Sequence, residues 1–259
     1  MKLAIGINIF GTFHRQELCI EGLLKLKDLF GNTIDLYNIQ PKDNPIIHDK
    51  FETIYFERSS LDVVPEGKQN KPIVKSMFNA LGEINCDYFL FSNSDIIISN
   101  RFIQTIIDNQ DRDAFSGSRL DIQDIQTLDD EVSPVRYQVT GFDTFVIKTK
   151  WWNENKDKFP EYIYAEPEWD VMYATICKEN GNTMFFNKWP AGLFHVKHPI
   201  AWDKATTERD YNVHLSQKVY TEQYNKWHRY MQGVLLRRQP PYALFNHFEN
   251  EEELEGAMF

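Results

Sequence analysis

The sequence predicts an α/β fold: a mainly parallel central sheet flanked by helices, with a helical extension toward the C-terminal end. Three observations predict it. Short apolar runs rich in β-branched and aromatic residues recur along the first half of the chain. Between them, apolar residues fall three and four apart, the spacing of one helical face. The two kinds of segment alternate, the order that builds a parallel sheet with helices on both faces.

The elements follow in chain order. LAIGINIF, residues 3–10, reads as a buried strand, and GTFHR as the loop after it. Cys19, Leu23, Leu26 and Phe30 mark a helix that ends at Gly31-Asn32. TIDLYNIQ (33–40), closed by Pro41, is a second strand and FETIYFER (51–58) a third. Residues 59–70, with Pro65 and Gly67, read as a loop. Val74, Met77, Phe78 and Leu81 predict a helix over 72–84, with Pro72 in its first turn. A strand follows at 86–92. Ser99-Asn100 then caps a helix whose apolar face is Phe102, Ile103, Ile106 and Ile107.

The second half is less regular. AFSGSRLDI (114–122) reads as a strand leading into a polar loop. VRYQVTGFDTFVIK (135–148) is a long strand or a pair, broken at Gly141. WWNENKDKF suits a short helix. Trp169, Met172, Tyr173, Ile176 and Cys177 share one face of a helix closed by Gly181. TMFFN is a strand and LFHVKHP follows it. From Thr207 a long helix is expected, carrying Tyr220, Tyr224, Trp227 and Met231. It can pack on the sheet, cover a site or build a dimer. No repeat, low-complexity segment or clean linker interrupts the chain.

Composition narrows the function. The 259 residues suit one large domain, and the net charge of −10 argues against nucleic acid as a partner. A nucleotide remains compatible, because a bound cation can offset its diphosphate. Much of the acidity lies in the tail, residues 241–259, with Glu249, Glu251, Glu252, Glu253 and Glu255. Cys19, Cys86 and Cys177 have neither zinc nor redox spacing and form no even disulfide set. A cytoplasmic protein is expected, with no signal sequence and no transmembrane segment; attachment at a membrane surface is left open.

The stretch CDYFLFSNSDIIIS, residues 86–99, carries the first chemistry. An apolar strand stops at Ser92-Asn93-Ser94-Asp95 and resumes with three isoleucines. Ligands of parallel sheets bind beyond the carboxyl ends of strands, and Asp95 stands at such an end. It is either a turn residue bonding its own backbone or an oxygen ligand for Mg²⁺ or Mn²⁺. EPEWD (166–170) is the second candidate. Carboxylates are favoured at a helix N-terminus for purely structural reasons, but Asp170 follows the core-facing Trp169 and so has a fixed direction. It is a candidate base for an attacking hydroxyl. His195 and His198, in HVKH, lie on opposite faces of a strand, and either can complete a metal site begun by carboxylates. Arg15, Lys71 and Lys75 supply positive charge near these segments. The chain has no GxxxxGK[ST] loop, no GxGxxG after the first strand and no GxSxG.

In order, these features resemble the nucleotide-diphospho-sugar transferases of the GT-A fold. GINIFGTFHR resembles that family's opening strand and loop, NKPIVKSMFNALGE its basic helix, and YFLFSNSD its strand ending in a DxD motif. VTGFDTFVIKTKWW, EPEWDVMYATICKENGNTMFFN and LFHVKH resemble its second half. The resemblance covers roughly residues 1–200. It implies one catalytic domain over 1–240: a nucleotide-binding half (about 1–110), an acceptor half (111–200) and a helical extension (201–240). It further implies transfer of a sugar from a nucleotide-sugar to a carbohydrate or other hydroxyl acceptor, assisted by Mn²⁺ or Mg²⁺, in surface polysaccharide or glycan synthesis. By the same resemblance, Asn8, Thr12, Arg15, Lys71, Lys75, Asn93, Ser94 and Asp95 bind the nucleotide-sugar. Asp170 and Glu168 are catalytic. Gly141, Asp143 and Trp169 line the acceptor side, and Asp95 with His195 or His198 holds the metal. One departure stands out: the first DxD position is Asn93, an amide without charge, which puts metal dependence in question. The competing readings are a sugar-nucleotide nucleotidyltransferase, which wants a Gly-rich basic loop where GTFHR stands, and a non-catalytic binder of nucleotide or glycan.

Overall fold

A computed structural model describes residues 1–130, 134–137, 142–186, 192–196 and 206–219. The strands are β1 (Leu3–Ile7), β2 (Ile34–Pro41), β3 (Glu52–Phe56), β4 (Tyr88–Ser92), β5 (Ile96–Ile98), β6 (Ala114–Gly117), β7 (Leu120–Ile122), β8 (Pro134–Tyr137), β9 (Thr144–Lys148), β10 (Thr183–Phe186) and β11 (Leu193–Val196). The helices are α1 (His14–Phe30), α2 (Val74–Gly82), α3 (Asn100–Asp108), α4 (Thr149–Asn155), α5 (Trp169–Asn180) and α6 (Thr207–Val219).

The expected α/β architecture is present. Seven strands form one sheet in the order β10-β6-β9-β4-β1-β2-β3. All run the same way except β9, which is antiparallel to both neighbours. Central strands are buried along their whole length, as strands covered on both faces must be. Alternate residues feed two cores. Leu3, Ile5, Tyr88 and Leu90 meet α1 and α3 through Leu23, Leu26, Phe102 and Ile106. Ala4, Phe89, Phe91 and Phe145 meet α2, α4 and α5 through Phe78, Trp152, Trp169 and Tyr173. Buried aromatic side chains concentrate in this second core rather than in the first.

Pro72 precedes α2 rather than entering its first turn. Pro72 and Ile73 are extended because they bridge to Ser59 and Ile163. AFSGSRLDI and VRYQVTGFDTFVIK each divide between two sheets. β6 and β9 belong to the large one, whereas β7 and β8 join β5 and β11 in a small sheet of order β5-β11-β7-β8. Hydrophobic pattern gives a strand its faces but not its sheet. Gly117 stands at the turning point: a Cβ there would lie 2.2 Å from Leu193 Cδ1, so a larger residue would have to displace the end of that buried leucine.

Of the long final helix, residues 207–219 are described. Its expected Tyr220–Met231 face and the acidic tail lie outside the described residues. Among the described residues, no helix is long and apolar enough to cross a membrane.

Candidate active site

The polar break in CDYFLFSNSDIIIS is a crossing between sheets. β4 ends at Ser92 in the large sheet and β5 begins at Ile96 in the small one. The break therefore sits at the carboxyl end of a central strand. Because β9 is reversed, its amino end reaches the same edge: Ser92 pairs with Thr144, which places Asn93 beside Asp143.

Asn93 is held at both ends of its amide. Its Nδ2 donates to Asp143 Oδ1 at 2.8 Å, and its Oδ1 accepts from Tyr164 OH at 3.0 Å. Its backbone N–H donates to the Asp143 carbonyl at 3.0 Å. A carboxylate only accepts, so the NH₂ must face Asp143. Burial holds the Tyr164 phenol well above its usual range, with the charges of Asp95 and Asp143 adding to the effect. It is therefore a proton donor at any working pH.

The small sheet brings the next groups. β11 places His195 opposite both Ile96 of β5 and Asp121 of β7, and cross-strand neighbours on one face touch. His195 Nδ1 lies 3.0 Å from Asp121 Oδ1, and its Nε2 lies 3.5 Å from Asp95 Oδ2. Arg119 spans the remaining gap. Its Nε is 3.2 Å from Asp121 and its Nη1 is 2.5 Å from Asp143. Burial opposes the Arg119 charge, but Asp143 and Asp121 outweigh it and hold the guanidinium above its ordinary value. Asp95, Asp121 and Asp143 thus gather around Arg119 and His195. Asp143 is 5% exposed. Burial pushes its carboxyl up, while Arg119 pulls against that.

Asp170 approaches from α5. Its Oδ2 accepts the Phe142 N–H at 3.0 Å, which sets it next to the Asp143 segment. Burial pushes the half-buried carboxyl up to about 7; the Phe142 N–H opposes this and the Asp143 charge adds to it. The loop before α5 is strained: Ala165 and Glu168 have φ of 61° and 85°, a region non-glycine residues enter at a cost. Glu168 is the N-cap residue and makes no side-chain capping bond. Asn212 of α6, fully buried, holds this loop. Its Oδ1 accepts from Ile163 N–H, and its Nδ2 donates to the carbonyls of Ile163 and Pro167.

The other expected residues fall as follows. Arg15 Nε stands 3.9 Å from Asp95 Oδ2, at the mouth. Thr12 is exposed. Asn8 is buried and donates to the Ile39 carbonyl at 2.6 Å, tying β1 to β2. Lys71 Nζ pairs with buried Glu166 at 2.5 Å. Lys75 makes no hydrogen bond or ion pair with the described residues. Ser94 is buried. Trp169 packs its ring among Phe91, Phe145, Tyr164 and Tyr173, so it shapes the wall from behind. Gly141 and His198 lie outside the described residues.

No family model matches the sequence, and no curated protein does. Among solved structures, residues 1–349 of S. aureus TarS in complex with UDP-GlcNAc superpose with a TM-score of 0.49 at 13% identity, covering 99% of this chain and 79% of that one. A second structure of S. aureus TarS 1–349 gives 0.49 at 12% identity, covering 94% and 77%.

Sequence reasoning missed Arg119, Asp121 and Tyr164. A usable signal existed for the first two. SRLD follows the strand Ala114–Gly117, and the same strand-end rule that singled out Asp95 applies there. Tyr164 had none, because its role depends on a loop folding back onto β4.

Proposed function

We propose that this protein is a GT-A-type glycosyltransferase that moves a sugar from a nucleotide-diphospho-sugar to a hydroxyl acceptor, in surface polysaccharide or glycan assembly. One observation carries the reading. An Asp95–His195 pair backed by Asp121 and a carboxyl near pH 7, Asp170, flank the same segment at the carboxyl edge of a mainly parallel sheet.

The donor set suits a divalent cation. His195 is oriented by Asp121 through Nδ1, the arrangement that fixes ring and tautomer in metal-ligating histidines. That turns Nε2 toward Asp95. Among the described residues no group of three His, Cys, Asp or Glu side chains gathers around one point. Asp95 and His195 would therefore be the protein's share of the coordination, with phosphate oxygens supplying more, as is usual for Mg²⁺ and Mn²⁺. The ion would offset charge developing on the departing nucleoside diphosphate. Asp170, with its carboxyl near working pH, takes the proton of the acceptor hydroxyl as the bond to the sugar forms. Arg15 adds positive charge beside Asp95, and Lys75 is a further cation for phosphate. The three cysteines are free thiols, which supports a cytoplasmic setting.

The test is thermal stability against a panel of nucleotide-sugars, UDP-GlcNAc among them, with and without Mn²⁺. A ligand at about a hundred times its dissociation constant adds about 2.7 kcal/mol, or roughly five to ten degrees for a chain of this size. A shift for one nucleotide class, larger with Mn²⁺, supports the reading. No shift for any nucleotide refutes it.

A further inference from the structure

The Asn93 amide is neutral, and both of its ends are bonded inside the protein. The charge absent from that position is found one strand away. β4 and β9 are antiparallel, and the residues just past their paired ends are Asn93 and Asp143. Asp143 Oδ1 receives Arg119 and Asn93. Its Oδ2 is buried and has no hydrogen-bond partner among the described residues. A buried carboxylate oxygen without a donor is costly, and such an atom in a native site calls for an absent partner. Arg119 and Asn93 both donate to Oδ1, which fixes the carboxylate and leaves Oδ2 as its unsatisfied acceptor among the described residues.

We infer that Asp143 supplies, across the β4/β9 junction, the carboxylate that the first position of the NSD motif lacks, and that its Oδ2 accepts a hydrogen bond from a hydroxyl of the nucleotide-sugar. The inference rests on the donor reading above and moves Asp143 from the acceptor side to the donor side. Asn93 is then the positioning residue that carries Asp143. A hydroxyl fits this atom, because it offers one donor to one acceptor oxygen. Two sources have that chemistry: the ribose and the transferred sugar.

The experiment measures binding to wild type, Asp143→Asn, Asn93→Asp and the double variant Asn93→Asp/Asp143→Asn. UDP, GDP, CDP and ADP are titrated by calorimetry with Mn²⁺, and the tightest binder is carried forward. The ribose arm compares it with its 2′,3′-dideoxy form. The sugar arm compares nucleotide-hexoses with their deoxy-sugar analogues. Wild type should lose about ten- to a hundredfold in one arm, the worth of a hydrogen bond to a charged group. Asp143→Asn should bind more weakly and discriminate less than twofold in that arm. Asn93→Asp sets a second carboxylate against Asp143 and should bind poorly, while the double variant regains affinity and discrimination.

A ligand-free arm tests the pairing itself by urea unfolding. The double variant should be more stable than Asn93→Asp. Additive effects there would overturn the relocated carboxylate. Full discrimination by Asp143→Asn in both arms would overturn the hydroxyl contact and leave the donor reading standing. Failure of wild type to bind any of the four nucleotides overturns the donor reading and this inference with it.

Discussion

Replacing Asp170 by Asn removes a titrating carboxyl but keeps an oxygen that can accept the Phe142 N–H, a bond of 3.0 Å in the structure. The consequence for stability has a definite sign. The folded carboxyl sits at about 7 against an ordinary 3.8, so between these values the folded protein holds a proton that the unfolded chain has released. Stability therefore falls as pH rises across that window and levels off above it. The full gap corresponds to roughly 4 kcal/mol, at 1.36 kcal/mol per tenfold change. Asp170 is only half-buried, and solvent screening brings this to about 2 kcal/mol. Asp170→Asn should match wild type near pH 4 and exceed it by about 2 kcal/mol at pH 8. Urea unfolding at a series of pH values reads this directly, with the slope in denaturant checked for constancy. Turnover of the same variant should drop by about a hundred- to ten-thousandfold. A carboxyl that destabilises the fold at working pH and is needed for chemistry is the trade expected of a functional group. Parallel pH profiles for variant and wild type, or a variant less stable at pH 8, would refute the reasoning.

Other outcomes follow from particular contacts. Asn212→Ala strands the Ile163 N–H and two carbonyls that Asn212 satisfies while fully buried; a loss of roughly 3 kcal/mol is expected, and under 1 kcal/mol by chemical denaturation would show that α6 is not fastened this way. Gly192 has φ of 78°, and a Cβ there would lie 2.0 Å from Ser99 Oγ, the cap of α3. Gly192→Ala should therefore lower stability by about 2–3 kcal/mol, read as a fall in the melting midpoint. Asp121→Asn should weaken Mn²⁺ binding in the presence of nucleotide by about ten- to a hundredfold; unchanged affinity by calorimetry would mean that Asp121 does not orient His195 for a metal.

Much of the fold was legible because its elements repeat with clean periods. Leu23 and Leu26, Phe78 and Leu81, Phe102 and Ile106 face their cores as the spacing demands. Sheet membership was not legible. Nothing in AFSGSRLDI says that Phe115 and Leu120 belong to different sheets; that is set by partners far along the chain, Val146 and Met184 for Phe115 and Phe194 for Leu120. The polar stripe of α6 was hidden for a similar reason. Glu208, Asn212 and Ser216 recur every four residues and would pass for a solvated face. Yet they are buried, satisfying loops that no helix or strand pairs: Glu208 takes the N–H groups of Lys68 and Gln69, and Ser216 meets Tyr162 OH at 2.8 Å.

The polar interruption of β4 had two competing explanations, a turn or a site, and its residues make different contacts. Asn93 does the work of a turn. It ends the pairing of β4 with β9 and ties the crossing to Tyr164 and Asp143. Asp95, two residues on, emerges where β5 meets β11 and faces His195. The first residue needs a neutral group that both donates and accepts; the second needs an acceptor that can carry charge. An Asp at position 93 would meet Asp143 oxygen to oxygen, so the presence of Asp143 is itself a physical reason for the amide. The departure at Asn93 is thus a local answer to a carboxylate on the next strand, and it leaves the charge available at this edge of the sheet undiminished.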